Sequence, residues 1–195
     1  MDVSISEKEP QIAILTSSAQ GGVYHTELFL HRPASDTEGT AVTVGNALGL
    51  SCAYTDNGNV GIICSDGITY VNGGGAVMQA YEFQGNQITA MALGKNGVAV
   101  ALKNSEVSQK NKIIVFDKNG KMLYNESVSQ TVQQLVRYDT VLFWMHADGV
   151  TCLNAENGQI TDHSCVTENR VLLARGKDQI LLCSPQKAEF ISLTV

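Results

Sequence analysis

Along the chain, apolar runs of roughly five to eight residues, rich in Val, Ile, Leu and Tyr, alternate with short polar breaks, the pattern of strands separated by turns. The breaks have a recurring form. Asn-Gly occurs at Asn57-Gly58, Asn96-Gly97, Asn119-Gly120 and Asn157-Gly158, and Asp-Gly at Asp66-Gly67 and Asp148-Gly149. These dipeptides accept the positive φ that tight antiparallel hairpins require. No window of a dozen residues carries a helical stripe. Residues 129–138 come nearest, but Val132, Leu135 and Val136 are too few to hold a helix on a core. The pattern predicts an all-β fold with antiparallel neighbours.

The breaks also keep time. The words Asp36-Thr-Glu-Gly39, Asn72-Gly-Gly-Gly75, Asp117-Lys-Asn-Gly120 and Asn154-Ala-Glu-Asn-Gly158 recur about every 40 residues. A second series, at 56–58, 95–97, 138–139 and 177–178, repeats in phase with them. A period near 40 with four strands per unit predicts β-propeller blades. The expected organisation is a flexible N-terminus at 1–10 and a single β-propeller-type domain at 11–195. It divides into a partial blade at 11–45, blades at 50–83, 88–127 and 132–165, and a partial blade at 170–195. That is about 4.5 blades, an array either incomplete or closed by another chain. Within each unit, strands a and b are nearly all apolar, as in 60–64, 88–93 and 98–102, whereas strands d at 121–127 and 159–164 are polar. This predicts inner strands covered on both faces and an outermost strand facing water.

Composition narrows the function classes. With 195 residues and 20.9 kDa, the chain is long enough for one domain with a real core. An apolar fraction of 44% against 16% charged residues excludes a disordered tail. Thirteen basic residues against 19 acidic ones, net −6, exclude a nucleic-acid surface and a polybasic membrane patch. The longest apolar runs, such as Val141 to Met145, are about five residues against the ~18 of a membrane span, so no membrane insertion is expected. Residues 1–10 lack the basic and apolar regions of a signal peptide. The expected location is cytoplasmic, or extracytoplasmic if an N-terminal anchor has been removed. The five cysteines, Cys52, Cys64, Cys152, Cys165 and Cys183, are odd in number and form no C-x-x-C, which argues against a disulfide framework or a zinc ribbon. All but Cys165 lie inside apolar runs, where a small buried side chain is expected.

Two hairpin words carry a resemblance. Ile114-Val-Phe-Asp-Lys-Asn-Gly-Lys-Met-Leu-Tyr124 and Val150-Thr-Cys-Leu-Asn-Ala-Glu-Asn-Gly-Gln-Ile160 resemble the c–d hairpin of quinoprotein-like (PQQ-like) propeller repeats. More narrowly, the chain looks like the propeller part of an uncharacterised bacterial, membrane-anchored family without established activity. The resemblance implies a propeller fold. It does not imply a cofactor, because Tyr124 and His163 stand near the places where the quinoprotein-type tryptophan closes each repeat. Trp144, the single tryptophan, lies in a b strand, and the WD dipeptide of WD40 repeats is absent.

Several side-chain groups have chemical potential. His25, Glu27, Phe29 and His31 share one strand face, but six residues of strand separate the two imidazoles by ~20 Å, too far to share an ion. In Asp162-His163-Ser164-Cys165, alternation puts His163 and Cys165 on one face and Asp162 and Ser164 on the other, so no triad can form among them. His146 with Asp148 reads as rim polarity at a b–c turn. Asp56-Asn-Gly-Asn59 and Asp117-Lys-Asn-Gly120 lack the full calcium-loop pattern and read as turns. Gly73-Gly74-Gly75 lacks the strand-to-helix setting of a phosphate loop, and Asn125-Glu126-Ser127 is a lone glycosylation sequon.

No catalytic, cofactor-binding or metal residue is therefore assigned. The expected function is a non-enzymatic binding or scaffold module that presents propeller loops to a protein, peptide or glycan partner. The alternative is a propeller enzyme or cofactor-binding domain with an axial site assembled from several blades. An apolar strand at 190–195 without a d partner predicts a homo-oligomer formed through open edge strands.

Overall fold

A computed structural model describes residues 1–33, 38–103 and 111–193. Asp36 and Thr37 of the first repeat word, and Thr194 and Val195 of the last strand word, lie outside the described residues. Among the described residues there are 19 strands and no helix. Among the described residues the strand pairings are antiparallel. The first sheet holds β1 (Asp2–Ile5), β2 (Ile12–Gln20), β3 (Val23–His31) and β4 (Thr40–Gly45). The second holds β5 (Gly49–Tyr54), β6 (Val60–Cys64), β7 (Gly67–Val71) and β8 (Val77–Glu82). The third holds β9 (Gln87–Gly94), β10 (Gly97–Lys103), β11 (Asn111–Phe116) and β12 (Met122–Val128). The fourth holds β13 (Gln134–Tyr138), β14 (Val141–His146), β15 (Gly149–Asn154) and β16 (Ile160–Ser164). The fifth holds β17 (Val171–Ala174), β18 (Gln179–Cys183) and β19 (Ala188–Ser192). In all five, spatial order follows chain order, the meander of a propeller blade.

Residues of the chain group into two compact units. One comprises Met1–Gly85, Leu93–Val98 and Asp117–Lys121, the other Asn86–Ala92, Ala99–Phe116 and Met122–Val195. In the first unit, Ala13, Leu15, Leu28 and Leu30 of the first sheet pack on Cys52, Tyr54, Val60 and Ile62 of the second. The second unit has two such seams. Ala99, Ala101, Ile113 and Val115 meet Leu135, Leu142 and Trp144, and Val141, Phe143, Val150 and Cys152 meet Leu172, Ile180, Leu182 and Ile191. Each fully buried large side chain contributes about 1.5–3 kcal/mol of hydrophobic stabilisation.

Three hairpins share one turn. At 55–59, 72–76 and 117–121, the fourth residue's N–H donates to the first residue's carbonyl, and the first residue's N–H to the fifth's carbonyl. The fourth residue is Gly58, Gly75 or Gly120, with φ of 82°, 88° and 82°. This is a type I turn closed by a left-handed glycine. Asn72 and Asp117 complete theirs by accepting two backbone N–H groups on Oδ1. At Gly120 a side chain is doubly excluded, because an added Cβ would also lie 3.0 Å from the Tyr70 ring. Gly67 differs from the Asn-Gly glycines, as it starts β7 without a positive φ.

Two sequence expectations are corrected. Within the expected flexible N-terminus at 1–10, β1 pairs with β2 and makes the first sheet four-stranded, in place of the expected partial blade at 11–45. Its side chains bridge sideways to β5. Asp2 Oδ2 accepts from Cys52 N–H and the Ser51 hydroxyl, both at 2.8 Å, and Ser4 Oγ accepts from Tyr54 N–H at 3.0 Å. Only two apolar residues, Val3 and Ile5, stand beside a polar stretch, which hides the strand from a hydrophobic pattern. Secondly, the fully covered strands are b and c, not a and b. β6, β7, β10, β11, β14 and β15 are almost entirely buried, whereas β5, β9 and β13 are only partly so. A middle strand has strands on both flanks, while strand a is flanked on one side only. Of the d strands, β16 is polar and alternates between exposed and half-buried as its sequence predicts, β12 is mostly half-buried, and β8 is largely exposed although Val77, Met78, Ala80 and Tyr81 make it mainly apolar.

Candidate functional site

The candidate site is a rim cleft of about 690 Å³ in the second unit, where turns of the fourth and fifth sheets meet. Thr140, Asn154, Glu156, Lys177, Asp178 and Ser192 supply its polar lining. Each wall is fixed by backbone hydrogen bonds. Between β13 and β14, Asp139 takes a left-handed φ of 55°, and its carbonyl accepts from Arg137 Nε at 2.8 Å. Ala155 N–H donates to Thr140 O at 3.0 Å and ties the turn after β15 to the turn after β13. The turn after β15 closes through Gly158 N–H on Asn154 O at 2.8 Å, and Asn154 Oδ1 accepts from Glu156 N–H at 3.1 Å. The turn after β17 closes through Arg175 N–H on Gln179 O at 2.9 Å, and Leu193 N–H donates to Asp178 O at 2.7 Å.

Charge at the mouth is unequal. The Lys177 ammonium lies 2.6 Å from Asp139 Oδ2, and this hydrogen bond and charge raise its pKa above the ordinary lysine value. With Lys177 paired to Asp139, the carboxylates of Glu156 and Asp178 leave the mouth acidic. Among the described residues no three His, Cys, Asp or Glu side chains converge to hold a metal. The cleft offers carboxylates, hydroxyls and backbone carbonyls on rigid turns, which suits it to holding a ligand by charge and hydrogen bonds.

Sequence reasoning did not find this cleft. Its residues come from separate repeats, and the sole signal, the turn series at 138–139 and 177–178, was legible as a repeat and not as a site. His25, Glu27, Phe29 and His31 do share the outward face of β3, and the His31 and Phe29 rings stack at 6.3 Å, but the two imidazoles stay apart. Asp162 and His163 likewise lie on opposite faces. His146, however, is not rim polarity: it is buried, with Nε2 3.2 Å from Thr151 Oγ1. The Thr151 hydroxyl also donates to Asp162 Oδ1 at 2.5 Å, and Thr167 Oγ1 donates to His146 O at 2.8 Å. Thr151 is fully buried, so this His–Thr–Asp chain holds strands together and presents no accessible nucleophile. The two turns weighed as calcium loops come together in the first unit. There Asp56 is paired with Lys8 and Lys118, and Thr55 Oγ1 donates to Lys118 O at 3.1 Å. Cations already occupy that carboxylate. Asn125 of the sequon sits half-buried in β12 opposite Ile114.

Residues 1–193 match the family of unknown function DUF5711. The chain belongs to the DUF5711 family. No protein of curated function matches this DUF5711 chain in sequence. Its solved structural relatives are β-propellers. The Neurospora crassa Pan2 WD40 domain superposes with a TM-score of 0.57 at 8% identity, covering 97% of the DUF5711 chain and 61% of the relative. BamB from Moraxella catarrhalis gives 0.55 at 14% identity, covering 96% and 59%. KlAtg21, solved in complex with the coiled-coil of AgAtg16, gives 0.69 at 9% identity, covering 99% and 66%. The DUF5711 chain thus spans less than two thirds of each of these relatives. At these identities the likeness establishes the fold.

Proposed function

We propose that this chain is a binding module that holds a basic segment of a protein or peptide partner in the rim cleft of its fourth and fifth sheets. One observation carries the reading: a cleft of about 690 Å³, within the range of ligand sites, built from turns whose backbones are already closed by hydrogen bonds. A rigid site loses little entropy on binding. Glu156 and Asp178 favour a cationic guest, and the net charge of −6 adds long-range attraction. The complex of KlAtg21 with a coiled coil supports a protein partner for a propeller of this kind. The hairpin words at 114–124 and 150–160 support blades of quinoprotein-like type, and the likeness to a membrane-anchored propeller family supports a role outside the cytoplasm.

The test is a screen of Lys/Arg-rich against Asp/Glu-rich peptide arrays, followed by titration of the best basic peptide. Glu156→Lys with Asp178→Lys is expected to weaken capture at least tenfold, and 0.5 M salt to weaken it for the unaltered chain. Preference for acidic peptides, or turnover of a small-molecule substrate without peptide binding, overturns the reading.

A further inference from the structure

The two turns with a partial likeness to calcium loops gather charge of the opposite sign. Both lie in the first unit, at 55–59 and 117–121, and side chains tie one to the other. The Thr55 hydroxyl and the Asn59 amide donate to Lys118 O at 3.1 and 3.5 Å, and the Asn57 amide donates to Asn119 Oδ1. Thr55 and Asn59 are 4% and 8% exposed, so buried polar groups fix the backbone that carries Lys118. A third turn of the same unit joins them, because Asp56 N–H donates to Lys95 O at 2.7 Å. The turn between β1 and β2 closes through Ser6 N–H on Gln11 O at 3.0 Å and sends Lys8 to Asp56. There the ammonium donates to the backbone carbonyl and lies 3.2 Å from Oδ1.

Three lysines from three turns thus gather about one carboxylate. Lys118 Nζ is 3.9 Å from Asp56 Oδ2, and Lys95 makes no ion pair among the described residues. The Lys8 hydrogen bond, with the charges of Lys8, Lys118 and Lys95, holds the Asp56 carboxyl below the ordinary 3.8. Nearby carboxylates are engaged elsewhere. Asp117 Oδ1 accepts from Asn119 N–H and Lys121 N–H, both at 2.8 Å, and Glu9 lies 4.0 Å from Arg32. Three ammoniums against one carboxylate leave two positive charges in excess, on a chain of net charge −6. The Lys8 and Lys118 side chains are 61% and 47% exposed, so a ligand can reach them from solvent.

We propose that this turn cluster binds a phosphate monoester group. Such a group carries about two negative charges at neutral pH and three strong acceptor oxygens, one for each ammonium. A carboxylate brings one charge and two oxygens, and a metal ion would meet a field of its own sign. Lysine suits the task, since its flexible stem lets several ammoniums converge on one centre. None of these residues belongs to the acidic cleft of the second unit, so neither reading depends on the other.

Fluorescence anisotropy of labelled peptides on the full chain in low salt tests this. One peptide carries phosphoserine, and the other has two aspartates in its place. The phosphopeptide is expected to bind about tenfold tighter, and about 0.5 M salt to remove most of its binding. Lys118→Gln and Lys95→Gln are each expected to weaken it about two- to fivefold. Lys95 makes no ion pair, so its variant removes charge without disturbing the turns. Asp56→Asn is expected to tighten binding about threefold by removing the competing anion, which a purely structural role would not do. Glycerol phosphate, added as competitor, separates the sources. Displacement at concentrations like the peptide's own supports the site with a small ligand. Displacement only at far higher concentrations supports it with a phosphorylated segment of a partner. No phosphopeptide binding up to about 1 mM, equal binding of the aspartate peptide, or unchanged affinity in both lysine variants overturns the proposal.

Discussion

The fourth and fifth sheets carry the same kinds of side chain at matching strand positions, yet only the fourth is covered on both faces. In the fourth, Val141, Phe143 and Cys152 face the fifth sheet and are at most 1% exposed. In the fifth, the corresponding outward row holds Leu173, Leu181, Cys183 and Phe190, and Phe190 is 59% exposed. Strand alternation writes a blade face into the sequence. Whether a neighbour covers it depends on what the rest of the molecule, or another molecule, places there.

The sharpest contrast is between the two phenylalanines. Phe143→Ala is expected to cost about 3–5 kcal/mol in urea unfolding, because it removes a ring from a seam packed on both sides. Phe190→Ala is expected to change the stability of the dilute chain by no more than about 0.5 kcal/mol. Equal losses would show that the fifth sheet's outer face is covered in solution. Next in size is Thr151→Val, expected to cost about 1–3 kcal/mol because it strands His146 Nε2 and Asp162 without their shared hydroxyl. Thr151→Ser is expected to recover most of the loss, which a pure packing role would not produce.

A smaller effect tests the strand that the apolar pattern missed. Partial burial tends to raise the Asp2 carboxyl, but hydrogen bonds from Cys52 N–H, Ser51 and Val3 N–H outweigh it and hold the pKa below the ordinary 3.8. A carboxyl depressed in the folded state stabilises fully above its unfolded value, and that share is lost as pH falls from about 4 through the lower folded value. Asp2→Asn is expected to flatten this acid limb in unfolding curves taken from pH 6 to 2. An unchanged limb would mean that the contacts of β1 with β5 do not persist in solution.

The mildest probe leaves stability untouched. Burial pushes the Cys152 thiol up to about 11, so at neutral pH it is protonated as well as covered. Cys64 is pushed up to about 11 and Cys52 to about 12, both chiefly by burial. An alkylating reagent at pH 7.5 is expected to modify Cys183, on the open face, in dilute native protein and to reach Cys52, Cys64 and Cys152 only after unfolding. Native modification of Cys152 ahead of Cys183 would reverse the contrast between the two sheets.

Much of the fold was legible because hairpin chemistry is local. Asn-Gly at 57–58 and 119–120 specifies its turn through φ at a single glycine, and the polar d strand β16 announces its exposure residue by residue. The strand at Asp2–Ile5 was not legible, because side-chain hydrogen bonds to β5 hold it, and those partners lie about fifty residues away. The burial of His146 escaped for the same reason: its partners Thr151 and Thr167 stand on other segments.

The sequence by itself determined the all-β class, the forty-residue rhythm, the antiparallel hairpins and the wet outer strands, since each follows from a residue's own conformational and solvation preferences. Tertiary structure decided which strands are covered on both faces, which turns converge into the rim cleft, and which apolar rows remain open. Those outcomes depend on side chains from different repeats meeting in space, and no periodicity along one chain encodes the distance between them.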